Sequence, residues 1–156
     1  MEGILFTWLV RVNLEAVKWM LHHEADAKRY EDNRWTPLHI ASANGNSDIV
    51  NILLKNSASI DHCNTNGFTP FLLACSYGNT NIADILIKEG AVVNKDDGTG
   101  NPALYLACNL RHNEIALALV ENGAEVNSHD KKGRTSLYYT VLLRMENRTY
   151  FNFDGT

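Results

Sequence analysis

The sequence predicts an all-α repeat solenoid, a stack of helix-turn-helix units joined by hairpin loops. The first observation is a 33-residue period across three consecutive windows, 35–67, 68–100 and 101–133. The second is a one-sided apolar pattern in each window, and the third is the connector rich in Ser, Asn, Asp and Gly that follows it. Self-similarity at such a period indicates a linear stack of one structural unit rather than a globular fold around a central pocket. Five columns are identical in all three windows: Ala41, Ile49, Leu53, Ala58 and Gly67; Ala74, Ile82, Leu86, Ala91 and Gly100; and Ala107, Ile115, Leu119, Ala124 and Gly133.

The first window shows how one unit is built. Thr36 is a good helix N-cap and Pro37 suits the first helical position, so a first helix is expected to begin there. It is expected to end at Gly45, because glycine supplies a left-handed stop. A second helix is expected from Asn46, with apolar residues at i, i+3 and i+4 on one side. Residues 57–67 then form a turn-containing connector. Neither helix buries its apolar stripe alone, so each unit needs its neighbours.

Residues 36–41, Thr-Pro-Leu-His-Ile-Ala, resemble the ankyrin-repeat signature T-P-L-H-x-A, which recurs every 33 residues. Residues 90–94 and 123–127 are similar to the stretch that leads from the second helix into the hairpin in that family. The resemblance implies one ankyrin-repeat domain over 1–156. It divides into a degenerate N-terminal repeat at 1–34, full repeats at 35–67, 68–100 and 101–133, and an incomplete last repeat at 134–156.

Three positions depart from the family pattern. Ser57 and Arg111 stand where the family has glycines, so each is expected to hold a positive φ at a cost of up to about 1 kcal/mol. In the third window, Asn101-Pro102 places the proline one position early. The first helix of that window is therefore expected to begin one residue sooner than its counterparts.

Composition and charge restrict the partners. The chain has 156 residues, of which 45% are hydrophobic and 21% charged, and its formal net charge is −4. It has no basic stripe that would neutralise phosphates, so nucleic acid is not expected as a partner. No apolar run is long enough to span a membrane, and no secretory signal is expected. The three cysteines are expected to be free thiols in a reducing compartment, which predicts an intracellular protein, cytoplasmic or nuclear.

The sequence contains no recognisable catalytic constellation. No glycine-rich loop has phosphate-binding spacing. His22 and His23 are adjacent, so on a helix they point about 100° apart and cannot hold one metal from one face. Cys75 and Cys108 have no nearby base in sequence and are expected to be small core residues. The resemblance implies that His39 is structural, because the signature histidine of the family ties the loop to the helix. We therefore expect no enzymatic activity, no cofactor and no metal.

The resemblance also implies which columns bind partners: the hairpin tip, the residue before Thr-Pro, and the last two residues of the first helix. Trp35, Phe68 and Tyr77 stand out, since large aromatics are typical hot-spot residues. For Trp35 and Phe68, binding and sideways packing on the neighbouring repeat remain equal alternatives, whereas binding is favoured for Tyr77. At the basic residues Lys131, Lys132 and Arg134, a solvated loop is favoured over a binding site for an acidic segment. The candidate partner-binding residues are Asp32, Asn33, Trp35, Asn44, Thr65, Asn66, Phe68, Ser76, Tyr77, Asn101, Asn109, Leu110, Lys131, Lys132 and Arg134.

Two asparagines are candidate hydroxylation sites. The asparaginyl hydroxylases that act on ankyrin proteins favour a hairpin asparagine with a leucine eight residues upstream. Asn94 follows Leu86, and Asn127 follows Leu119, at this spacing. The alternative is that both asparagines close the turn by side-chain hydrogen bonds.

The expected function is that of a non-catalytic intracellular interaction module that binds a protein or peptide on its concave face. One alternative is a small IκB-like ankyrin inhibitor that masks a transcription factor or a kinase. Another is the targeting portion of a larger scaffold or enzyme. The last repeat either folds its aromatic residues 150–153 back as an irregular cap or belongs to a longer array, and the longer array is slightly favoured.

Overall fold

The computed structural model describes residues 13–127 except 24, 29 and 31, the backbone alone at residue 32, and the isolated residues 133 and 135. The expectations for residues 1–12, for the rest of the last repeat, and for Lys131, Lys132 and Arg134 lie outside the described residues.

The described chain is built from paired helices. Within each full repeat the two helices pack on each other. The first helices of successive repeats stack in one row and the second helices in another. This part of the chain contains no strand, and an isolated antiparallel bridge joins Asp96 and Pro102. The prediction of an all-α repeat solenoid is therefore confirmed. The helices are α1 (Leu14–His22), α2 (Pro37–Asn44), α3 (Ser47–Lys55), α4 (Pro70–Tyr77), α5 (Thr80–Lys88), α6 (Ala103–Asn109) and α7 (Asn113–Glu121).

The first helices begin with threonine caps, as the sequence predicts. The Thr36 hydroxyl accepts a hydrogen bond from the backbone N–H of His39, and that of Thr69 accepts one from Leu72. Both helices end at a left-handed glycine, Gly45 in the first full repeat and its counterpart in the second. These caps satisfy backbone groups that a helix of eight residues leaves unpaired at its ends.

The third repeat corrects one expectation. Its first helix, α6, begins at Ala103, which is in register with Pro37 and Pro70, so the prediction of an earlier start is wrong. Pro102 instead occupies the cap position with an extended backbone, at φ −72° and ψ 162°. The bridge between Pro102 and Asp96 holds it in the loop.

The two non-glycine residues expected at left-handed positions adopt that conformation. Ser57 has φ 62° and Arg111 has φ 63°. Non-glycine residues tolerate this region only with some strain. Their presence shows that the turn at these positions is imposed by the packing of the repeat rather than by local preference.

The repeated columns form the core. The side chains of the repeated alanine column of the first helices and the repeated leucine column of the second helices are completely buried: Ala41, Ala74, Ala107, Leu53, Leu86 and Leu119. The small alanine side chains allow the two helices of a repeat to approach closely. Among the described residues, no helix has the length and apolarity needed to cross a membrane.

Truncating a core leucine should be costly, and the chain offers a matched control. Leu53→Ala and Leu86→Ala each remove a fully buried side chain and should lower the free energy of unfolding by about 2–5 kcal/mol. Leu117→Ala makes the same chemical change on α7 at a side chain that is 66% exposed, and should change it by less than about 0.5 kcal/mol. Urea unfolding followed by circular dichroism measures all three. Equal losses at buried and exposed leucines would contradict the assigned core.

Candidate partner-binding surface

The hairpin tips and the ends of the first helices form one continuous surface, which we call the tip face. The row of first helices brings equivalent positions of neighbouring repeats side by side. Helices packed in this way lie about 8–10 Å apart, so each column repeats at roughly that spacing. The described members of the tip face are Asn33, Trp35, Asn44, Thr65, Asn66, Phe68, Ser76, Tyr77, Gly98, Thr99, Asn101, Asn109 and Leu110.

A buried carboxamide holds the tip of the second repeat. The Asn64 Oδ1 atom accepts hydrogen bonds from the backbone N–H groups of Asn66, at 2.9 Å, and Phe68, at 3.0 Å. The backbone N–H of Asn64 also donates to the Phe68 carbonyl, at 3.0 Å. Asparagine is suited to this role because its short side chain reaches backbone groups two to four residues ahead.

Asp97 holds the next tip in the same way. Its Oδ1 atom accepts from the backbone N–H groups of Thr99 and Asn101 and from the Thr99 hydroxyl, at 2.7–3.0 Å. Its Oδ2 atom accepts from the side-chain amide of Asn101. Burial by itself would raise the pKa of the Asp97 carboxyl, but the hydrogen bonds from Asn101 and Thr99 outweigh it and lower that pKa. The buried carboxylate is thus kept ionised by the loop that it organises.

Adjacent tips touch at a glycine. Gly67 has φ 81°, and a Cβ atom placed on it would lie 2.6 Å from the backbone of Asp97. The Thr65 backbone N–H donates to the Asn33 carbonyl of the preceding tip, at 3.0 Å. The close approach to Asp97 explains the glycine at position 67, and Gly100 and Gly133 of the same column share its positive φ.

His39 ties the first helix to the following loop. Its Nδ1 atom accepts from the backbone N–H and the hydroxyl of Thr36, and its Nε2–H donates to the Phe68 carbonyl at 3.0 Å. The ring is fully buried. Burial lowers the pKa of His39 to about 4, with a further lowering by the nearby His62 ring and an opposing effect of the bond to Phe68. The histidine is therefore neutral and structural at neutral pH, as the resemblance implies.

The ends of the first helices are held by side chains from the next repeat. The Asn79 side-chain amide donates to the carbonyls of Ser42, at 2.7 Å, and Ala43, at 3.1 Å. One repeat later, the His112 Nε2 atom lies 3.1 Å from the Ser76 carbonyl. These two bonds align the last turn of each first helix with its neighbour.

Asn94 forms a similar link between outer loops. Its Oδ1 atom accepts from the Glu125 backbone N–H at 3.0 Å, and its amide donates to the Gly123 carbonyl at 3.2 Å. In the preceding repeat, Asp61 accepts from Val92 in the same way. The side chain of Asn94 thus bonds the next repeat rather than closing its own turn. Hydroxylation of Asn94 and Asn127, both exposed, stays a prediction.

The structure separates the predicted binding residues into two groups. Trp35 and Phe68 are half-buried and pack against the core, and their contact with a partner stays a prediction. The lateral packing that the sequence left open accounts for much of their surface. Tyr77 remains 61% exposed and Leu110 45% exposed. Asn33, Asn44, Thr65, Asn66 and Asn109 are exposed, Ser76 and Asn101 are half-buried, and the side chain of Asp32 lies outside the described residues.

Sequence reasoning missed the residues that hold this surface in place. Asn64 and Asp97 occupy one column, and Asn79 and His112 another. The signal was present, because short polar side chains recur in each column at the repeat period. It was overlooked because the residues are similar rather than identical.

Nothing in the described chain resembles a reaction centre. The described residues contain no group of three or more His, Cys, Asp or Glu side chains placed to hold a metal ion. A groove of about 760 Å³ lies between residues 94–102 and 123–127, and the residues that line it include two acids, Asp96 and Glu125, but no histidine or cysteine. Cys75 is completely buried, and burial raises the pKa of its thiol, so it is a poor nucleophile.

The comparison with protein families agrees with this architecture. The family model described as ankyrin repeats (3 copies) matches residues 6–97 and 38–130. The chain belongs to the ankyrin-repeat family. It is also similar to the mouse (Mus musculus) protein phosphatase 1 regulatory subunit 27, with 43% identity over 42 residues. That stretch covers 27% of this chain and 27% of the mouse protein.

The lowered pKa of His39 predicts a loss of stability in mild acid. The unfolded chain protonates this histidine near pH 6.5, whereas the folded protein keeps it neutral to about pH 4. The unfolded state thus binds more protons between these values, and the free energy of unfolding should fall by up to about 3 kcal/mol as the pH drops through this window. Urea unfolding at neutral pH and at about pH 4.5 measures the difference.

His39→Gln is the informative variant, because glutamine keeps an amide that can donate to the Phe68 carbonyl but does not titrate. Its stability should fall less than that of the wild type over the same pH range. The remaining loss includes His62, whose pKa is lowered by burial and then by Arg34 and Lys95. Identical pH dependence in the variant and the wild type would contradict the assignment to His39.

Thiol reactivity should follow burial. Cys63 is half-buried, whereas Cys75 and Cys108 are buried, and all three are free. A disulfide reagent that reports thiolate release should label one thiol in the folded protein and three after unfolding. Cys63→Ser should abolish labelling of the folded protein. Rapid labelling of the folded Cys63→Ser variant would show that the thiol of Cys75 or Cys108 is accessible to solvent.

Proposed function

We propose that this chain is a non-catalytic protein-interaction module that binds a protein or peptide on a concave face, and that the tip face is this surface. The observation that carries the proposal is a division between columns. Identical columns are buried or lie at backbone turns, whereas the column Asn44, Tyr77 and Leu110 varies and is exposed. The side chains of this column differ from repeat to repeat and are exposed, so they are available to contact a partner.

Two features of the described residues support a binding role over catalysis. Tyr77 and Leu110 are large exposed apolar side chains one repeat apart, and such residues anchor protein interfaces. Tyr77 is the last residue of α4 and Leu110 directly follows the last residue of α6, so neither lies on a long loop and their positions are defined before a partner arrives. An intracellular location, cytoplasmic or nuclear, fits three cysteines that are all free.

A second candidate is a regulatory or targeting subunit of an enzyme. It is favoured by the 43% identity to a protein phosphatase 1 regulatory subunit. In that case the tip face binds the catalytic subunit or its substrate. Phosphatase activity that co-purifies with this chain would support this candidate over a general scaffold.

Substitutions at the exposed pair test the proposal. The double variant Tyr77→Ala with Leu110→Ala should leave the free energy of unfolding within about 1 kcal/mol of the wild type, because both side chains are largely exposed. It should lose partners that the wild-type chain captures by affinity purification with mass spectrometry. The losses reflect removal of anchor residues rather than unfolding.

Leu117→Ala with Val92→Ala is the matched control, because it also truncates two exposed apolar side chains but lies outside the tip face. This control should capture the same partners as the wild type. If the Tyr77 and Leu110 variant keeps them, the binding surface is elsewhere. If that variant unfolds, the two side chains belong to the core.

A further inference from the structure

The tip face has an unusual charge distribution. Residues 65–78 and 98–110, which form the tips and first helices of the second and third full repeats, contain no Asp, Glu, Lys, Arg or His. At the chain average of 21% charged residues, about six would be expected in stretches of this combined length. Between residues 79 and 127 the charged residues lie on the second helices, in the loops after them and, for Arg111, in the turn after α6: Asp84, Lys88, Glu89, Lys95, Asp96, Asp97, Arg111, Glu114, Glu121 and Glu125.

The charged side chains nearest these two stretches in the structure are Asp96, Asp97, Arg34 and Arg111. Asp97, the charge next to the tips, is 4% exposed, and its two carboxylate oxygens face donors from Thr99 and Asn101. Arg34 and Arg111 border the surface at its ends. The Arg34 guanidinium carbon lies 5.9 Å from the centre of the Tyr30 ring. The exposed carboxylate of Asp96 accepts from the Gly98 backbone N–H at 2.8 Å and so lies at the edge of the third tip. Residues 65–78 and 98–110 themselves carry no formal charge.

The exposed groups on this surface are apolar or neutral and polar. Tyr77 and Leu110 provide apolar area, and Thr65, Asn66 and Asn109 provide exposed hydroxyl and amide groups. An amide both donates and accepts, so it can bond a peptide backbone without selecting a charge. A charged side chain buried here would lose its hydration and find no counter-charge.

We propose that the tip face of the second and third repeats, centred on Tyr77 and Leu110, binds an uncharged polypeptide segment that carries at least one large apolar side chain. This proposal rests on the proposed function and specifies the chemistry of the partner. The apolar side chain covers Tyr77 and Leu110, and the amides of Asn66 and Asn109 bond its backbone. Binding is then largely insensitive to salt, because no ion pair contributes to it.

The competing occupant is an acidic segment that pairs with the basic residues Lys131, Lys132 and Arg134 of the sequence. That mode depends on charge and weakens as salt screens the attraction. The two modes therefore differ in both peptide composition and salt response.

A random-peptide library selected on the full chain tests the proposal. Selected peptides should be depleted in charged residues and enriched in large apolar ones. Their dissociation constants, measured by fluorescence anisotropy, should change less than about twofold between low and high salt. Tyr77→Ala or Leu110→Ala should weaken binding by about tenfold or more.

Charge introduction provides the sharpest comparison. Asn109→Lys and Asn109→Glu place opposite charges on the tip face, and both should weaken binding, because neither charge finds a partner on a neutral peptide. Asn113→Lys and Asn113→Glu make the same changes at an exposed asparagine on α7 and should leave binding unchanged. If Asn109→Lys strengthens binding while Asn109→Glu weakens it, the partner segment is acidic and the proposal is wrong.

The outcomes separate this proposal from the function on which it rests. If the selected peptides are charged and bind in a salt-dependent way that still requires Tyr77, the proposal of an uncharged partner segment is wrong. The assignment of the binding surface would stand. Selected peptides that bind equally well to Tyr77→Ala and Leu110→Ala would overturn both. A selection that enriches no peptide above background would overturn the neutral segment, while protein capture by the wild-type chain tests the function independently.

Discussion

The structure depends on hydrogen bonds that run from one repeat to the backbone of the next. His39 bonds the Phe68 carbonyl, Asn79 bonds the Ser42 carbonyl, and Asn94 bonds the Glu125 backbone. The partners are separated by 29, 37 and 31 residues. Apolar burial gives the stack its stability but allows sliding, because the effect is not directional. The polar links fix the register, and the register decides which side chains meet on the tip face.

These links are not the same in every repeat. His39 has Leu72 and Tyr105 as its counterparts, so the imidazole tie occurs in the first full repeat and is missing from the next two. Asn64 in the loop after α3 and Asp97 in the loop after α5 each accept hydrogen bonds from backbone donors of their own tip. The loop after α3 has the His39 imidazole as an additional tie, whereas the loop after α5 relies on Asp97. The hydrogen bonds accepted by the Asn64 and Asp97 side-chain oxygens offset the cost of burying them.

Much of the scaffold could be predicted from the sequence, because it is specified by local chemistry. Thr36, Pro37 and Gly45 determine one helix whatever surrounds it. The start of α6 was mispredicted because Pro102 was treated as a local signal, whereas a contact with Asp96 holds it in the loop. The burial of Trp35 and Phe68 was left open by the sequence for a similar reason. The position of a residue in the repeat indicates the direction of its side chain. How much of that side chain is buried depends on its contacts with the neighbouring repeat.

The exposure of Tyr77 follows from the same packing constraints that bury the columns around it. Gly78 ends α4, and a Cβ atom there would lie 2.7 Å from the His112 ring, which fills the space. The same ring lies 3.1 Å from the Ser76 carbonyl, so both neighbours of Tyr77 are fixed by one side chain of the next repeat. A side chain on a backbone that is already fixed loses less conformational freedom on binding than one on a mobile loop. In the proposed binding mode, Gly78 and His112 thus contribute to recognition without touching a partner, because they hold the backbone of Tyr77 in one place.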